Sequence, residues 1–341
     1  MTVIIALILF GFLIFIHELG HYLAARLFKV GINEFAIGMG PKLITKKSDK
    51  TGIVYSLRLL PIGGFVSMVG EDEDSTDVNA LNNKPVWQRM IIVSAGAFMN
   101  VLVGILIVLV IVSTSSRLAS NVVAEFNDGA VSQECGLMVG DEIIKVGKNR
   151  VHIGNEISNA IMFDGTAPID ITVIRDGKQV VLKDVSFGTI SESGMTFGRM
   201  DFKVYGERIS FFNIVKHTIF CSKSMVEVIW KSLVYLVTGK VGVEQMSGPI
   251  GVTSAIGEAT KKGMHNLLYM CALLALNLGI FNMLPLPALD GGRFAFMLYE
   301  LIFRKPVKRE IEGYIHFAGL CLLLLLMVVV GYNDVLKLFQ K

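Results

Sequence analysis

In "FIHELGHYLAAR", residues 15–26, two imidazoles and a carboxylate fall close together as His17, Glu18 and His21. On an α-helix each residue advances about 100°, so His17 and His21 project from nearly the same face and Glu18 lies on its flank. That is the H-E-x-x-H arrangement: two imidazole ligands for zinc, with a glutamate placed to take a proton from water. The pattern is short, and the competing reading is a helix end whose polar groups emerge among lipid headgroups. Its setting argues for chemistry. Val3 to Ile16 carries no polar side chain, and Tyr22, Leu23, Ala24, Ala25, Leu27 and Phe28 extend the apolar character beyond the motif. An ionisable residue in a spanning helix costs roughly 2.5–3.5 kcal/mol on insertion scales and is a functional candidate by default. A bound metal would offset that cost.

A catalytic zinc usually takes three protein ligands and leaves a fourth position open. Asp290 is the only carboxylate between Leu267 and Tyr299, and it sits in "NMLPLPALDGGR", where Pro285, Pro287, Gly291 and Gly292 must interrupt a helix. Broken backbone at membrane depth is tolerated only where protein buries it or it lines a wet cavity. A carboxylate at such a break is well placed to reach a metal on the first apolar segment. The alternative role for Asp290 is an N-cap for a helix that begins near Gly291. His316 is the alternative third ligand. His152, His217 and His265 read as surface or interface residues. Cys135, Cys221, Cys271 and Cys321 include no C-x-x-C pair and read as packing residues, not as a disulfide framework or metal site.

The elements that must hold these residues follow from composition. The chain has 341 residues, 52% of them hydrophobic, with a mean hydropathy of +0.59, so an integral membrane protein is expected. A formal net charge of +3 gives no indication of nucleic acid. Four stretches are long and apolar enough to span: Val3 to Phe28, Met90 to Val112, Leu267 to Leu289 and Gly313 to Asn333. The first lacks a basic n-region and a small-residue cleavage site, so it reads as a retained span, not a signal peptide. Arg26, Lys29, Lys84 and Arg89 lie between spans one and two, and Arg304, Lys305, Lys308 and Arg309 between three and four. The positive-inside rule puts these loops in the cytoplasm, with both termini and the insert at 113–266 outside.

Within the insert, "APIDITVIRDGKQVVLKDVSF" has two strand-like runs joined by Asp176-Gly177, a two-residue hairpin signal. Upstream, G-x-x-x-G-D-x-I-x-x-V from Gly136 to Val146 resembles the core of a PDZ domain; an unrelated small β-rich module is the alternative. PDZ folds bind extended peptides or chain ends by adding a strand to a sheet edge. Residues 211–238 interleave Lys216, Lys223, Glu227 and Lys231 with large apolar groups, which suits an amphipathic helix lying in the membrane interface.

H-E-x-x-H in the first span, N-x-x-P-x-P-x-L-D-G-G in a later one and a PDZ-like module between them, with "GGFVSM" near residue 65 and "MSGPIGV" near 250, together resemble the site-2 protease family (peptidase M50 type). Within it the chain is similar to the bacterial RseP-like zinc intramembrane metalloproteases, here with a single PDZ domain where the best-known members have two. The resemblance covers nearly the whole chain. It implies a polytopic α-helical membrane protein of four transmembrane helices, with a re-entrant β-structured loop and an inserted extracytoplasmic PDZ domain of α+β type. It implies Zn2+ held by His17, His21 and Asp290, with Glu18 as the catalytic base. For substrate binding it points to Asn282, less firmly Asn277, to Pro285 and Pro287 in the break, and to Gly64 and Phe65 in the β loop. Intramembrane amides also commonly hydrogen-bond neighbouring helices. Residues 34–71 would supply an edge strand for unwound substrate, and the acidic "EDEDSTD" after it reads as a solvated loop.

The division expected is 1–29, first span with H-E-x-x-H; 30–89, cytoplasmic or re-entrant β loop; 90–113, second span; 114–206, PDZ domain; 207–266, interfacial helix and linker; 267–303, third-span region with L-D-G; 304–312, cytoplasmic loop; 313–333, fourth span; 334–341, C-terminal tail. The function read from the whole is a zinc metalloendopeptidase in a bacterial cytoplasmic membrane, acting in regulated intramembrane proteolysis. Its partners would be the lipid bilayer, single-span substrates such as anti-sigma factors or signal-peptide remnants, and a peptide or new C-terminus at the PDZ domain. Two rivals remain: a non-proteolytic PDZ scaffold with structural zinc, which would not need Glu18, and a metal transporter, which would need polar residues lining spans two and four.

Overall fold

The computed structural model of the protein describes every residue except 72, 74, 193, 194, 340 and 341. The chain forms two compact units, one of residues 1–104 with 246–341 and one of residues 105–245. Among the described residues, four helices are long and apolar enough to cross a membrane: Thr2–Leu27, Val86–Thr114, Met264–Asn282 and Arg309–Lys337.

The first unit opens with α1 (Thr2–Leu27), whose 26 residues extend about 39 Å at 1.5 Å per residue, against a hydrocarbon core of about 30 Å. The run is helical because lipid offers no partner to a backbone N–H or C=O outside the helix itself. It stops where Lys29 turns left-handed at φ 55 and the N–H of Val30 closes on Ala25 O at 2.8 Å. Next come β1 (Ile32–Lys47) and β2 (Val54–Met68), which fold back on each other. Residues 34–37 of β1 pair on one side with Ser67 through Gly64 and on the other with Val54 through Leu57, and Ile44 to Lys47 pair with Leu57 to Val54. Two long strands therefore make a small sheet of four short runs, with 64–68 at one edge. Its apolar side, including Phe35, Val66 and Met68, packs with Ala25 of α1 and with Ile92 of α2 (Val86–Thr114).

The second unit begins within α2, at residue 105. In chain order it holds β3 (Leu118–Phe126), α3 (Val131–Glu134), β4 (Glu142–Val146), β5 (Asn149–Arg150), α4 (Gly154–Asp164), β6 (Ile169–Arg175), β7 (Lys178–Val185), β8 (Gly188–Glu192), β9 (Met195–Arg199), β10 (Phe202–Glu207) and α5 (Phe211–Val237). The main sheet has the order β10-β3-β4-β6-β7, with β5 on β4, and β8 pairs β9. The hairpin expected at Asp176-Gly177 is present, both residues at positive φ (50 and 75) between β6 and β7. Val123, Ile143, Val146, Ile157, Ile161, Ile171 and Val173 form the core. Asp141 is buried and takes both Nε and Nη2 of Arg175 at 2.7 Å. His217, expected as a surface or interface residue, is buried, with Nε2 3.3 Å from Glu207 Oε2. Burial outweighs that carboxylate and pushes its pKa below the usual imidazole value.

The first unit resumes with α6 (Pro249–Lys261), α7 (Met264–Asn282), α8 (Asp290–Phe303) and α9 (Arg309–Phe339). Ala6, Leu9 and Leu13 of α1 pack with Ile256 of α6 and Ala275 of α7. The third apolar stretch is interrupted where its prolines require: α7 ends at Asn282. Pro285 and Pro287 lack N–H donors and disfavour helical backbone at Leu284 and Leu286, so 283–289 is irregular although it stays apolar. The residues after 333 are not a free tail. α9 continues to Phe339, and buried Asp334 accepts the N–H groups of Gly248 (3.1 Å) and Gly251 (2.8 Å) at the start of α6.

Candidate metal centre

α1 presents His17 and His21 inward, one turn apart, both largely buried. Their Nε2 atoms are 3.2 Å apart. The break brings Asp290 to them: its Oδ2 lies 3.1 Å from His17 Nε2 and 3.3 Å from His21 Nε2. Asp290 does not cap α8, because the N-cap is Leu289 and Asp290 is the first helical residue. A Cβ on Gly291 would come within 2.1 Å of Leu284 O, so only glycine lets the start of α8 sit this tightly on the break.

These three atoms fit a metal ion. Ligands about 2.0 Å from a tetrahedral centre stand about 3.3 Å from one another, close to the three separations here. Asp290 Oδ2 is buried with no hydrogen-bond partner, the condition of an oxygen aimed at a cation rather than at a donor.

The outer side of each imidazole is held by α2 or α7. His21 Nδ1 lies 2.8 Å from Ile92 O; a carbonyl can only accept, so the proton is on Nδ1 and the Nε2 lone pair faces Asp290. His17 Nδ1 lies 3.3 Å from the Asn100 amide and 3.4 Å from the Asn282 amide. An amide turned with its oxygen towards Nδ1 accepts a proton there and leaves the His17 Nε2 lone pair free. Asn100 is fully buried, and its Oδ1 has no partner in the opposite orientation. Gly96, one turn before it, admits the rings: a Cβ there would come within 2.4 Å of His21 Nε2.

Glu18 projects beside the imidazoles, with the backbone of Val66 close to its carboxylate. A Cβ on Gly64 would stand 3.5 Å from Glu18 Cγ. The run 64–68 therefore lies against the glutamate, and among the described residues no further strand covers that side of it. Phe65 pairs with Ala36 and has the Arg58 guanidinium 4.7 Å over its ring.

The other residues singled out in the sequence lie as follows. Asn282 touches His17 itself. Asn277 lies half-buried on α7, more than a turn earlier. Pro285 is exposed, and Pro287 packs against Gly319 of α9. His316 stands apart from the three donors and braces the break, its Nδ1 accepting the Ala288 N–H at 2.8 Å. Glu71, first of the acidic run, is ion-paired with Arg293, not simply solvated; residues 72 and 74 of that run lie outside the described residues. Asn100 and Gly96 escaped the sequence reading. Their one usable signal was a lone amide inside an otherwise apolar span, one turn after a glycine.

Comparison with known proteins places this site in a family. Residues 5–326 match "Peptidase family M50". A Clostridium perfringens protein whose name includes "zinc metalloprotease" is 36% identical over 337 residues, covering 98% of this chain and 99% of the relative. "Regulator of sigma-W protease RasP" of Bacillus subtilis is 30% identical over 424 aligned positions, 99% of each chain. "Metalloprotease MmpA" of Caulobacter vibrioides is 29% identical over 365 positions, 94% of this chain and 91% of the relative.

Proposed function

The chain belongs to peptidase family M50 and is a metalloprotease, and from that premise we propose that it is a zinc endopeptidase cutting membrane-spanning segments of other proteins in regulated intramembrane proteolysis. The observation that carries this reading is the meeting of His17 Nε2, His21 Nε2 and Asp290 Oδ2 beside Glu18 on helices apolar enough to lie in a bilayer.

His17, His21 and Asp290 would hold the zinc. Bound there, zinc supplies Lewis-acid polarisation of the scissile carbonyl and makes water acidic enough to lose a proton near neutral pH. Glu18 takes that proton on its carboxylate and returns it to the leaving amide nitrogen. Ile92 O, and the amides of Asn100 and Asn282, hold the imidazoles in the tautomer that keeps Nε2 unprotonated. Asn282, Pro285 and Pro287 border the substrate path on the break side, and Gly64 and Phe65 border it on the strand side. A helical substrate hides its peptide bonds in its own hydrogen bonds. Pairing of an unwound segment with the free side of 64–68 would present an extended chain to Glu18.

The β1–β2 sheet is read as re-entrant from the exposed apolar side chains of Ile37, Met39, Leu43 and Ile44. The second unit is read as a single PDZ domain receiving a peptide or new C-terminus. The 424-position alignment with the longer Bacillus relative fits a chain lacking part of that protein's sequence. α5 turns Lys223 and Ser224 to α4 and leaves Phe211, Phe212, Ile219, Trp230 and Val237 exposed, as an interfacial helix would. Lys and Arg placement supports a bacterial cytoplasmic membrane location with both termini and the second unit outside. The substrates are read as single-span proteins, anti-sigma-factor-like proteins or signal-peptide remnants among them.

Glu18→Gln is the direct test. The variant should keep its zinc and lose cleavage of a single-span model substrate by about a thousandfold or more. Retained cleavage would leave the scaffold reading in its place.

A further inference from the structure

Glu71 connects two elements on which the site depends. Its Oε2 accepts the N–H of Met68, the last residue of β2, at 3.2 Å. Its Oε1 is paired with Arg293 Nη1, across 222 residues of sequence. Arg293 stands one helical turn after Asp290 on α8. The neighbouring Gly70 carbonyl accepts Arg309 Nη2 at 3.3 Å, from the first residue of α9. β2 carries the backbone of Val66 and Gly64 against Glu18, and α8 carries Asp290.

We propose that Glu71 and Arg293 are a positioning pair that sets Asp290 against Glu18 by fastening the end of β2 to the first turn of α8. The proposal rests on Asp290 being a metal ligand and Glu18 the base. The need for such a pair follows from the break. Residues 283–289 follow no helical ladder and include two prolines, so the backbone before Asp290 does not by itself fix where α8 begins relative to α1. Gly291 and Gly292 allow the close approach of α8 but supply no polar anchor. The Glu71 carboxylate supplies one and shares it with the strand that borders the base. The contacts that join them are to each other and to the Met68 N–H, so the pair acts on Asp290 and Glu18 through the elements that carry them. The pair is partly exposed, 38% for Arg293 and 16% for Glu71. An ion pair so placed adds little to global stability, so variants should fold.

The test is a double-mutant cycle on the full chain in detergent, with Glu71→Gln, Arg293→Gln and both together. Three quantities are measured: kcat and KM on a single-span substrate, bound zinc against rising chelator, and the thermal midpoint. Each single variant should lower kcat about tenfold with KM little changed, and should release zinc at a chelator concentration several-fold lower. The double variant should lose less than the product of the two single losses, because the first change already removes the shared contact. Arg293→Lys should recover most of the loss. Multiplicative losses in the double variant, or wild-type kcat and zinc retention in both singles, overturn the proposal. So does a lowered thermal midpoint with unchanged kcat per zinc-loaded enzyme, which would mark a merely structural tether. Glu18→Gln in the same assay separates the two readings. If it still cleaves, the base assignment fails; if it is inactive while the cycle is multiplicative, only the positioning pair fails.

Discussion

The two histidines are oriented by partners of different kinds. His21 leans on a main-chain carbonyl, which no substitution at position 92 removes, whereas His17 leans on amide side chains. Asn100→Ala should therefore loosen zinc about 10–100-fold in a chelator competition, with activity falling in step. Gly96→Ala should do worse, since its methyl would enter the space of the His21 ring, and metal analysis of the purified variant should find well under one zinc per chain. Legibility at this scale divided by chemistry. Titratable groups in an apolar run declare themselves because burying them is costly, so His17, Glu18, His21 and Asp290 could be singled out by type alone. Asn100 could not, because an uncharged amide in a span has a bland use in every helix bundle. Asn282 carried a substrate role by resemblance, and its contact with His17 depended on where α7 ends.

Among the elements, the β1–β2 sheet is held at one half-buried carboxylate. Glu34 accepts from Lys42, Ser56 and Arg58. Burial alone would raise its pKa, but these hydrogen bonds outweigh it and hold the value at about 2, below the ordinary 4.5. A depressed acid stabilises the fold above its unfolded pKa and loses that contribution as pH falls through the folded one. The sheet should therefore weaken between about pH 4.5 and 2, and in Glu34→Gln the unfolding midpoint should vary less across that window. The family resemblance marked these residues as a β-structured loop. The double pairing of 34–37 was not legible, because bends within two long strands leave no periodic trace. The break in the third apolar stretch was legible for a different reason: hydropathy reports what a segment contacts, while prolines decide whether it is helical, and from Met283 to Leu289 the two part company.

At the scale of the molecule, the inserted unit was the best-marked region, since Gly140-Asp141 and Asp176-Gly177 bracket the strands that meet through Arg175. Removing one partner of a buried pair is costly, so Asp141→Ala should lower the stability of this unit by about 3 kcal/mol, read from its denaturant midpoint. Orientation can be tested on the whole chain. Its four thiols are free and can be replaced, after which a cysteine at position 306 should react with a membrane-impermeant reagent only from the cytoplasmic side, and one at position 177 only from outside.

Asp334 ties this architecture to the order of synthesis. The helix start that it caps lies 86 residues earlier, and α6 in turn packs on α1, which carries the two histidines. A nascent chain that has already inserted α1, α2 and α7 still lacks the carboxylate that closes α6. Competence to cut should therefore arrive late in biogenesis, after α9 has been threaded into place. A chain that stops before residue 334 would then carry His17, Glu18 and His21 without the cap of α6, and should cleave a model substrate poorly.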